Sequence, residues 1–168
     1  MLHRRDVRHR EKGGALVGKT KRGKGTKLMV LADGAGTPLG VHVEAATPAE
    51  VRLVEPTLEN GRIGGRRARR RKPKRLIADR GYDSNPLRAL LVNRGIEPII
   101  PKRRNNPKAT HQDGRKLRRY KRRWVIERTN SWLQTFRRLV VRYERSAKTF
   151  TALVHLACAL TTLRRVLG

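Results

Sequence analysis

The apolar residues of this chain fall into short runs whose spacing predicts strands and helices in alternation. Residues 27–33 (KLMVLAD) form a compact apolar run, and residues 38–45 (PLGVHVEA) alternate apolar with polar positions. The sequence DGAG between these runs is typical of a tight turn, so together they predict a β-hairpin. Residues 1–26 are polar and interrupted by glycines, which predicts a loop.

The rest of the chain predicts a mixed sheet flanked by helices in one domain. A hairpin followed by alternating strands and helices is typical of an α/β fold. Proline just after a capping residue marks two helix starts, and apolar residues at helical spacing mark two long helices near the C-terminus. The predicted elements after the hairpin are a helix after Thr47-Pro48, a strand at 75–79, a helix after Asn85-Pro86, a strand at 96–101, and helices at 115–143 and 146–167.

The charge of the chain narrows the possible function classes. It contains 42 Lys and Arg against 13 Asp and Glu, for a formal net charge of +29. This balance favours a polyanionic partner such as DNA and argues against an enzyme for acidic or neutral small molecules. Two basic runs, 62–75 and 115–123, contain no acidic residues, which favours phosphate contacts over a solvated face or a flexible loop. The predicted DNA contacts in the first run are Arg66, Arg67, Arg69, Arg70 and Arg71.

Several other classes find no support in the sequence. The single cysteine, Cys158, excludes a disulfide framework and a cysteine-based zinc site. No stretch approaches the roughly 18–20 apolar residues of a membrane span. The basic N-terminus has no apolar segment behind it that would make a signal peptide. We therefore expect a cytoplasmic, nucleoid-associated protein.

Two carboxylates stand apart in this basic chain. Asp79 ends the predicted strand at 75–79, and sites form at the carboxyl ends of strands in open α/β sheets. The alternative for Asp79 is a helix cap or a salt bridge to Arg80. Glu127 is the only acid in the helical pattern at 115–143.

The surroundings of Glu127 predict a functional face on that helix. At about 100° per residue, Glu127 shares an arc of about 80° with Tyr120, Arg123, Asn130 and Gln134. The alternative is a surface helix in which Glu127 pairs with Arg123. Solvated faces rarely align a tyrosine and two amides with the only acid in a basic helix, so we expect this stripe to contact DNA.

Asp79 and Glu127 are the candidate catalytic and metal-binding residues. Carboxylates from distant segments suit Mg²⁺ near phosphates, because Mg²⁺ prefers oxygen ligands and keeps several waters. Two such ions can activate the attacking oxygen and stabilise the leaving oxygen in phosphodiester chemistry. Two carboxylates are few for two ions, so a third ligand is expected.

At these residues the sequence resembles the DDE transposases of bacterial insertion sequences, in the group whose transposase is often split over two reading frames. LIADRGYDS resembles the segment around the family's second catalytic Asp, which corresponds to Asp79. The segment GKTKRGKGTKLMVLADGAGTPLGV resembles the hairpin after the family's first Asp, and LACALTTLRR resembles its last helix. The resemblance covers residues 12–167.

The segment around the catalytic Glu carries the most specific part of the resemblance. The family pattern is Tyr, two residues, Arg, three residues, Glu, six residues, Lys. Tyr120, Arg123 and Glu127 match the first three positions, and Gln134 stands where Lys is expected. The neighbouring Arg137 and Arg138 are the candidates to replace that Lys as a phosphate contact, and Arg137 is the predicted DNA contact.

The resemblance implies a ribonuclease H-like mixed sheet and Mg²⁺-dependent cleavage and strand transfer at the ends of an insertion sequence. It also implies a homo-oligomer on transposon ends and target DNA. The family's first Asp should fall close to position 4, which is Arg4 here, and residues 1–11 are too charged to predict a central strand. We therefore expect a sheet that lacks its first strand. The expected organisation is a basic lead-in at 1–26, a core at 27–143 and a C-terminal helix at 144–168.

Three explanations account for the missing first Asp. The chain is the downstream half of a split transposase that works with an upstream-frame part, or a decayed copy, or a protein in which Asp6 replaces the missing ligand. A non-catalytic DNA-binding remnant or regulator of transposition is the alternative function. A basic ribosome-associated protein fits the charge but not the pairing of Asp79 with the Glu127 stripe.

Overall fold

The computed structural model describes residues 6–9, 14–20, 23–61, 72–106 and 114–167. These residues form a mixed α/β fold, as the sequence predicts. Two short 3₁₀ segments, Arg80–Tyr82 and Arg118–Arg123, interrupt the other elements. In chain order the strands and α-helices are β1 (Asp6–His9), β2 (Gly18–Thr20), β3 (Gly23–Ala32), β4 (Pro38–Ala45), α1 (Glu50–Asn60), β5 (Arg75–Ile77), α2 (Asn85–Asn93), β6 (Glu97–Ile99), α3 (Gly114–Leu117), α4 (Trp124–Gln134), α5 (Arg137–Val140) and α6 (Ala147–Leu167).

The strands form an antiparallel group around β3 and a parallel pair. β3 pairs antiparallel with β1, β2 and β4. β5 and β6 pair in parallel, with Leu76 opposite Pro98. Because parallel strands end at the same edge of a sheet, the loops that follow β5 and β6 meet there.

β3 is buried on both faces, which explains its continuous apolar run. Leu28 and Val30 belong to a core cluster that includes Phe150 of α6 and residues of α4. Met29 and Leu31 point the other way, into a second cluster with residues of α1 and α2. The alternation of a strand thus separates two helical layers.

β5 lies between the same two layers. Leu76 is fully buried in the second cluster, whereas Ile77 packs against the first. Both groups of strands therefore separate α4 and α6 on one side from α1 and α2 on the other. This sandwich places the C-terminal end of β5 between the helical layers.

The predicted hairpin is confirmed as β3 and β4. The Asp33 carboxylate accepts hydrogen bonds from the backbone N–H groups of Ala35 and Thr37, both at 2.8 Å. Gly36 has φ +89°, a left-handed conformation that favours glycine. β3 begins earlier than predicted, at Gly23.

The loop predicted over residues 1–26 is wrong at residues 6–9, 18–20 and 23–26, which form strands, and so is the expectation that no strand precedes the hairpin. β1 pairs with β3, with Asp6 opposite Leu28, and β2 pairs with β3, with Gly18 opposite Gly25. The sequence DVRH has one apolar residue, so it is held as a strand by the backbone of β3 and not by a pattern of its own. Gly18 is needed because an added Cβ would collide with Thr47.

The single helix predicted over 115–143 is also wrong. The segment consists of α3, the 3₁₀ helix Arg118–Arg123, α4 and α5. An α-helix would stack Arg115 on Arg119 and Arg118 on Arg122, and like charges at this spacing destabilise it. A second break follows Gln134, where Phe136 adopts extended backbone angles (φ −82°, ψ 99°).

The other predicted helices are present with shifted starts. α1 begins at Glu50 with Ala49 as its N-cap residue, so the predicted start at Thr47-Pro48 is wrong. α2 begins at Asn85 with Ser84 as its N-cap residue, so the helix is confirmed but Asn85 is not its cap, and Pro86 lies in the first turn. The prediction of a helix at 146–167 is confirmed by α6.

α6 corrects the expectation that no stretch approaches the length of a membrane span. It has 21 residues, and its most apolar 18-residue segment has a mean hydropathy of 1.3, enough for a span by length and composition. One face of α6 nevertheless packs into the first core cluster through Phe150, Val154 and Ala157. Burial of this face against β3 and β4 accounts for the apolar residues there.

Candidate functional site

Asp79 lies just beyond β5, at the start of a turn formed by residues 79–83, called the Asp79 turn below. Its Oδ1 atom accepts a hydrogen bond from the backbone N–H of Gly81 at 2.5 Å, and its carbonyl accepts one from the N–H of Tyr82 at 3.0 Å. Asp79 therefore caps the 3₁₀ turn, as the alternative interpretation held. An added Cβ at Gly81 would lie 2.6 Å from Oδ1 of Asp79, so only glycine leaves room for this carboxylate.

Tyr82 belongs to the Asp79 turn and extends into the protein core. Its side chain is fully buried, and its hydroxyl group lies 3.9 Å from the Met29 sulfur. Burial raises the pKa of the Tyr82 hydroxyl strongly, and the negative charges of Glu50 and Asp79 raise it further. Tyr82 is therefore a neutral, buried residue that anchors the Asp79 turn in the core.

Asp83 closes the Asp79 turn through a buried network. Arg88 donates to Oδ1 of Asp83 through Nε at 2.9 Å, and the backbone N–H of Arg103 donates to Oδ2 at 2.6 Å. Burial alone raises the pKa of Asp83, but the hydrogen bonds from Arg103, Arg88 and Asn106 outweigh it, so the pKa lies below its usual value. The turn after β5 is thus tied to the loop after β6.

Tyr120, Arg123 and Glu127 form a contiguous chain of side chains. The Arg123 guanidinium lies 5.6 Å from the centre of the Tyr120 ring, and its Nη2 atom lies 2.9 Å from Oε1 of Glu127. The predicted surface ion pair is therefore present. The 3₁₀ helix that carries Tyr120 and Arg123 packs against β5, the strand that leads into Asp79.

The other two members of the predicted stripe, Asn130 and Gln134, differ in their exposure to solvent. Asn130 is buried, at 4% exposure, and its Nδ2 atom has no hydrogen-bond partner among the described residues. Gln134 and Arg137 are exposed beyond it. The arc of about 80° assumed one α-helix, whereas Tyr120 and Arg123 lie in a 3₁₀ segment with 3.0 residues per turn. The predicted contacts Arg66, Arg67, Arg69, Arg70 and Arg71 lie outside the described residues.

A stack of tryptophan and arginine side chains from α4 and α6 was not predicted from the sequence. The Arg128 guanidinium lies 4.8 Å from the ring centres of both Trp124 and Trp132, and the Arg165 guanidinium lies 5.4 Å from Trp132. Arg128 and Arg165 both donate to the carbonyl of Ala35 in the hairpin turn. The spacing of Trp124, Arg128 and Trp132, four residues apart along a helix, was the available signal.

Asp79 and Glu127 suit a divalent cation by the chemistry of their donor atoms. Each is a partly or largely exposed carboxylate with one oxygen engaged, by the Gly81 N–H and by Arg123 respectively. Carboxylate oxygens are the ligands that Mg²⁺ prefers. Within the part of the chain that the structure describes, no three His, Cys, Asp or Glu side chains cluster as a metal site.

Comparisons with known proteins identify one matching family and two similar proteins. The family described as Transposase DDE domain matches residues 5–162. A protein of Burkholderia cepacia named as a transposase for insertion sequence element IS402 is 40% identical over 146 residues, which cover 84% of this chain and 65% of that protein. A protein of Brucella ovis named as a transposase for element IS6501 is 34% identical over 89 residues, covering 53% of this chain and 67% of that protein. No solved structure matches significantly.

Proposed function

This chain belongs to the DDE-domain transposases of insertion sequences, and we propose that it cleaves the ends of an insertion sequence and transfers them into target DNA. The chain spans 65% of the length of its IS402 relative. DNA is the proposed partner, in agreement with the net charge of +29.

The observation that carries this proposal is the contact between β5 and the 3₁₀ helix that precedes α4 and Glu127. The segment with Tyr120 and Arg123 packs against the strand that leads into Asp79. Asp79 follows that strand directly, and Glu127 lies one helical turn beyond Arg123, so we infer that both carboxylates serve one site. Arg123, which is paired with Glu127, supplies a phosphate contact beside the Glu127 carboxylate.

Mg²⁺ is the proposed cofactor, with Asp79 and Glu127 as the residues that hold it. When bound, the ion supplies a Lewis acid that polarises a phosphoryl oxygen and activates the attacking oxygen. The Asp79 carboxylate is oriented for this role by the Gly81 N–H, and the Glu127 carboxylate by Arg123. Tyr120, Gln134 and Arg137 are proposed to contact the DNA backbone around them, whereas the buried Asn130 is not available for such a contact in this structure.

The proposed fold class is ribonuclease H-like. Three observations support it: β1, β3 and β4 are antiparallel neighbours, β5 and β6 are parallel, and both groups share the same helical layers. We also propose that the protein acts in the cytoplasm as a homo-oligomer on DNA, with a part encoded by an upstream frame.

A second candidate function is a non-catalytic DNA-binding regulator or remnant. It is favoured by the absence of a three-residue metal-ligand cluster within the described residues, and by Arg4 near the position of the family's first Asp. Such a protein would bind the ends of the element and compete with an active transposase.

A transposition assay in cells separates the two functions. A resistance marker flanked by the DNA on either side of this gene is introduced with the chain alone, with the chain fused to the upstream frame, or with the fusion carrying Glu127→Gln. Transposition by the fusion but not by the Glu127→Gln variant supports the catalytic proposal. Reduced transposition when the chain is added to an active relative, without activity of its own, supports the regulator.

A further inference from the structure

Arg103 lies in the loop that follows β6, next to the Asp79 turn. β5 and β6 are parallel neighbours, so the loops after them leave the same edge of the sheet. Arg103 is 26 residues beyond the end of β5 in sequence, yet its guanidinium contacts the Asp79 turn directly: Nε donates to the carbonyl of Arg80 at 2.9 Å, and Nη2 donates to the carbonyl of Gly81.

One of these contacts acts on the peptide group that holds Asp79. The carbonyl of Arg80 and the N–H of Gly81 belong to the same planar peptide unit. Arg103 binds the oxygen side of this unit at 2.9 Å, and Oδ1 of Asp79 accepts from its N–H at 2.5 Å. A charged donor on the carbonyl polarises the peptide and strengthens the hydrogen bond from its N–H.

Arg103 is itself held in place. Its backbone N–H donates to Oδ2 of Asp83 at 2.6 Å, and Asp83 is fixed by Arg88, which also donates to the carbonyl of Ile100 at 2.6 Å. The Arg103 guanidinium therefore contacts the Asp79 turn from a backbone that is itself held by hydrogen bonds. Its planar fork matches two successive carbonyls, a geometry that a lysine ammonium does not reproduce.

We propose that Arg103 is a positioning residue for Asp79: it orients the 80–81 peptide group whose N–H fixes the Asp79 carboxylate toward a divalent cation. This inference rests on the proposed function, in which Asp79 is a metal ligand. Arg103 does not touch DNA or the reacting atoms in this role, so its loss weakens the cation site and leaves DNA binding intact.

The test compares Arg103→Lys and Arg103→Ala with Arg104→Ala in the full chain. Arg104 is the exposed neighbour of Arg103, so it controls for the loss of one positive charge from the same loop. Mn²⁺ affinity is measured by electron paramagnetic resonance, and exchange of the Gly81 amide by hydrogen–deuterium exchange. We expect both Arg103 variants to lose about tenfold in Mn²⁺ affinity and to exchange Gly81 faster, at an unchanged unfolding midpoint, while Arg104→Ala behaves as the parent.

Gly81→Ala provides a second, independent variant if both Arg103 variants unfold. It retains the Arg103 contacts but pushes on Oδ1 of Asp79, so we expect the same loss of Mn²⁺ affinity. Asp79→Asn distinguishes failure of the positioning role of Arg103 from failure of the proposed metal site. If Asp79→Asn abolishes Mn²⁺ binding and folded Arg103→Lys does not weaken it, the positioning role is wrong and the proposed function stands. If Asp79→Asn binds Mn²⁺ as the parent does, the proposed metal site itself is wrong.

Discussion

Arg123 and Glu127 form an ion pair one helical turn apart, with Nη2 of Arg123 2.9 Å from Oε1 of Glu127. Both side chains are substantially exposed, at 33% and 45%, so water weakens the pair as a source of stability. The same Arg123 guanidinium faces the Tyr120 ring. The pair links the Glu127 carboxylate on α4 to a cation and an aromatic ring on the 3₁₀ helix that packs against β5, which points to function more than to stability.

Arg123→Ala should separate these two roles. Exposed pairs of this kind contribute about 0.2–1 kcal/mol, so the unfolding free energy should fall by no more than that. DNA cleavage should fall at least about tenfold, because the variant can neither bind a phosphate at this position nor orient Glu127. Arg52→Ala removes an exposed charge on α1, outside both basic runs, and is the control. Equal cleavage by the two variants would contradict a functional role for Arg123.

Arg137 and Arg138 offer a matched pair of adjacent cations for DNA binding. Arg138 lies 3.2 Å from the Glu144 carboxylate, whereas Arg137 has no ion pair among the described residues. Removal of one cation that binds a phosphate reduces the slope of log affinity against log salt by about 1. Arg137→Ala should reduce the slope by this amount, and Arg138→Ala by less. The reverse order, measured by fluorescence anisotropy across a salt series, would remove Arg137 from the proposed interface.

The hairpin turn is predicted to be sensitive at Gly36 and tolerant at Gly34. Gly36 has φ +89°, and an added Cβ would lie 3.0 Å from Oγ1 of Thr129 and 3.3 Å from Cγ1 of Val125. Gly36→Ala should therefore cost about 1–3 kcal/mol of unfolding free energy in urea titrations. Nothing lies within 4 Å of a Cβ added at Gly34, so Gly34→Ala is the control. Equal stability of both variants would show that the turn does not dock on α4 as described.

Asp83 should make the fold sensitive to acid. Its folded pKa lies below the ordinary value of 3.8, because the hydrogen bonds from Arg103 and Arg88 outweigh the effect of burial. A lowered carboxyl pKa contributes stability that is fully present above the ordinary value and is lost as the pH falls through the folded value. Asp83→Asn should be less stable than the parent near neutral pH, and the difference should shrink below pH 3.8. A difference that does not change with pH would assign the effect to packing instead.

The sequence predicts elements best where the residues of a segment determine its structure by themselves. The β3–β4 hairpin follows from an apolar run, an alternating run and a turn with Asp33 and Gly36, and α6 follows from helical spacing. β1 and β2 are missed because their strand character comes from pairing with β3. The breaks within 115–143 are missed because neither Pro nor Gly marks them.

In the candidate site, too, some residues are predicted by the local sequence and others are brought together only by the fold. Tyr120, Arg123 and Glu127 are close in sequence, and the structure brings them into contact. Asn130 lies on the same α-helix as Glu127 but is buried, because helical spacing alone does not show which residues pack into the core. Residue spacing does not predict the contact of Arg103 with the Asp79 turn, since only the parallel pairing of β5 with β6 brings the two together.

The most direct test of the central claim is strand cleavage of DNA that carries the ends flanking this gene, in Mg²⁺. The chain fused to its upstream frame is compared with the same fusion carrying Asp79→Asn, Glu127→Gln or, as a control on an exposed helical acid, Glu59→Gln. We predict cleavage at the ends by the fusion and by Glu59→Gln, and none by the other two, with DNA binding retained by all four. Cleavage that survives loss of either Asp79 or Glu127 would contradict the account, as would salt-sensitive binding without cleavage by the unaltered fusion.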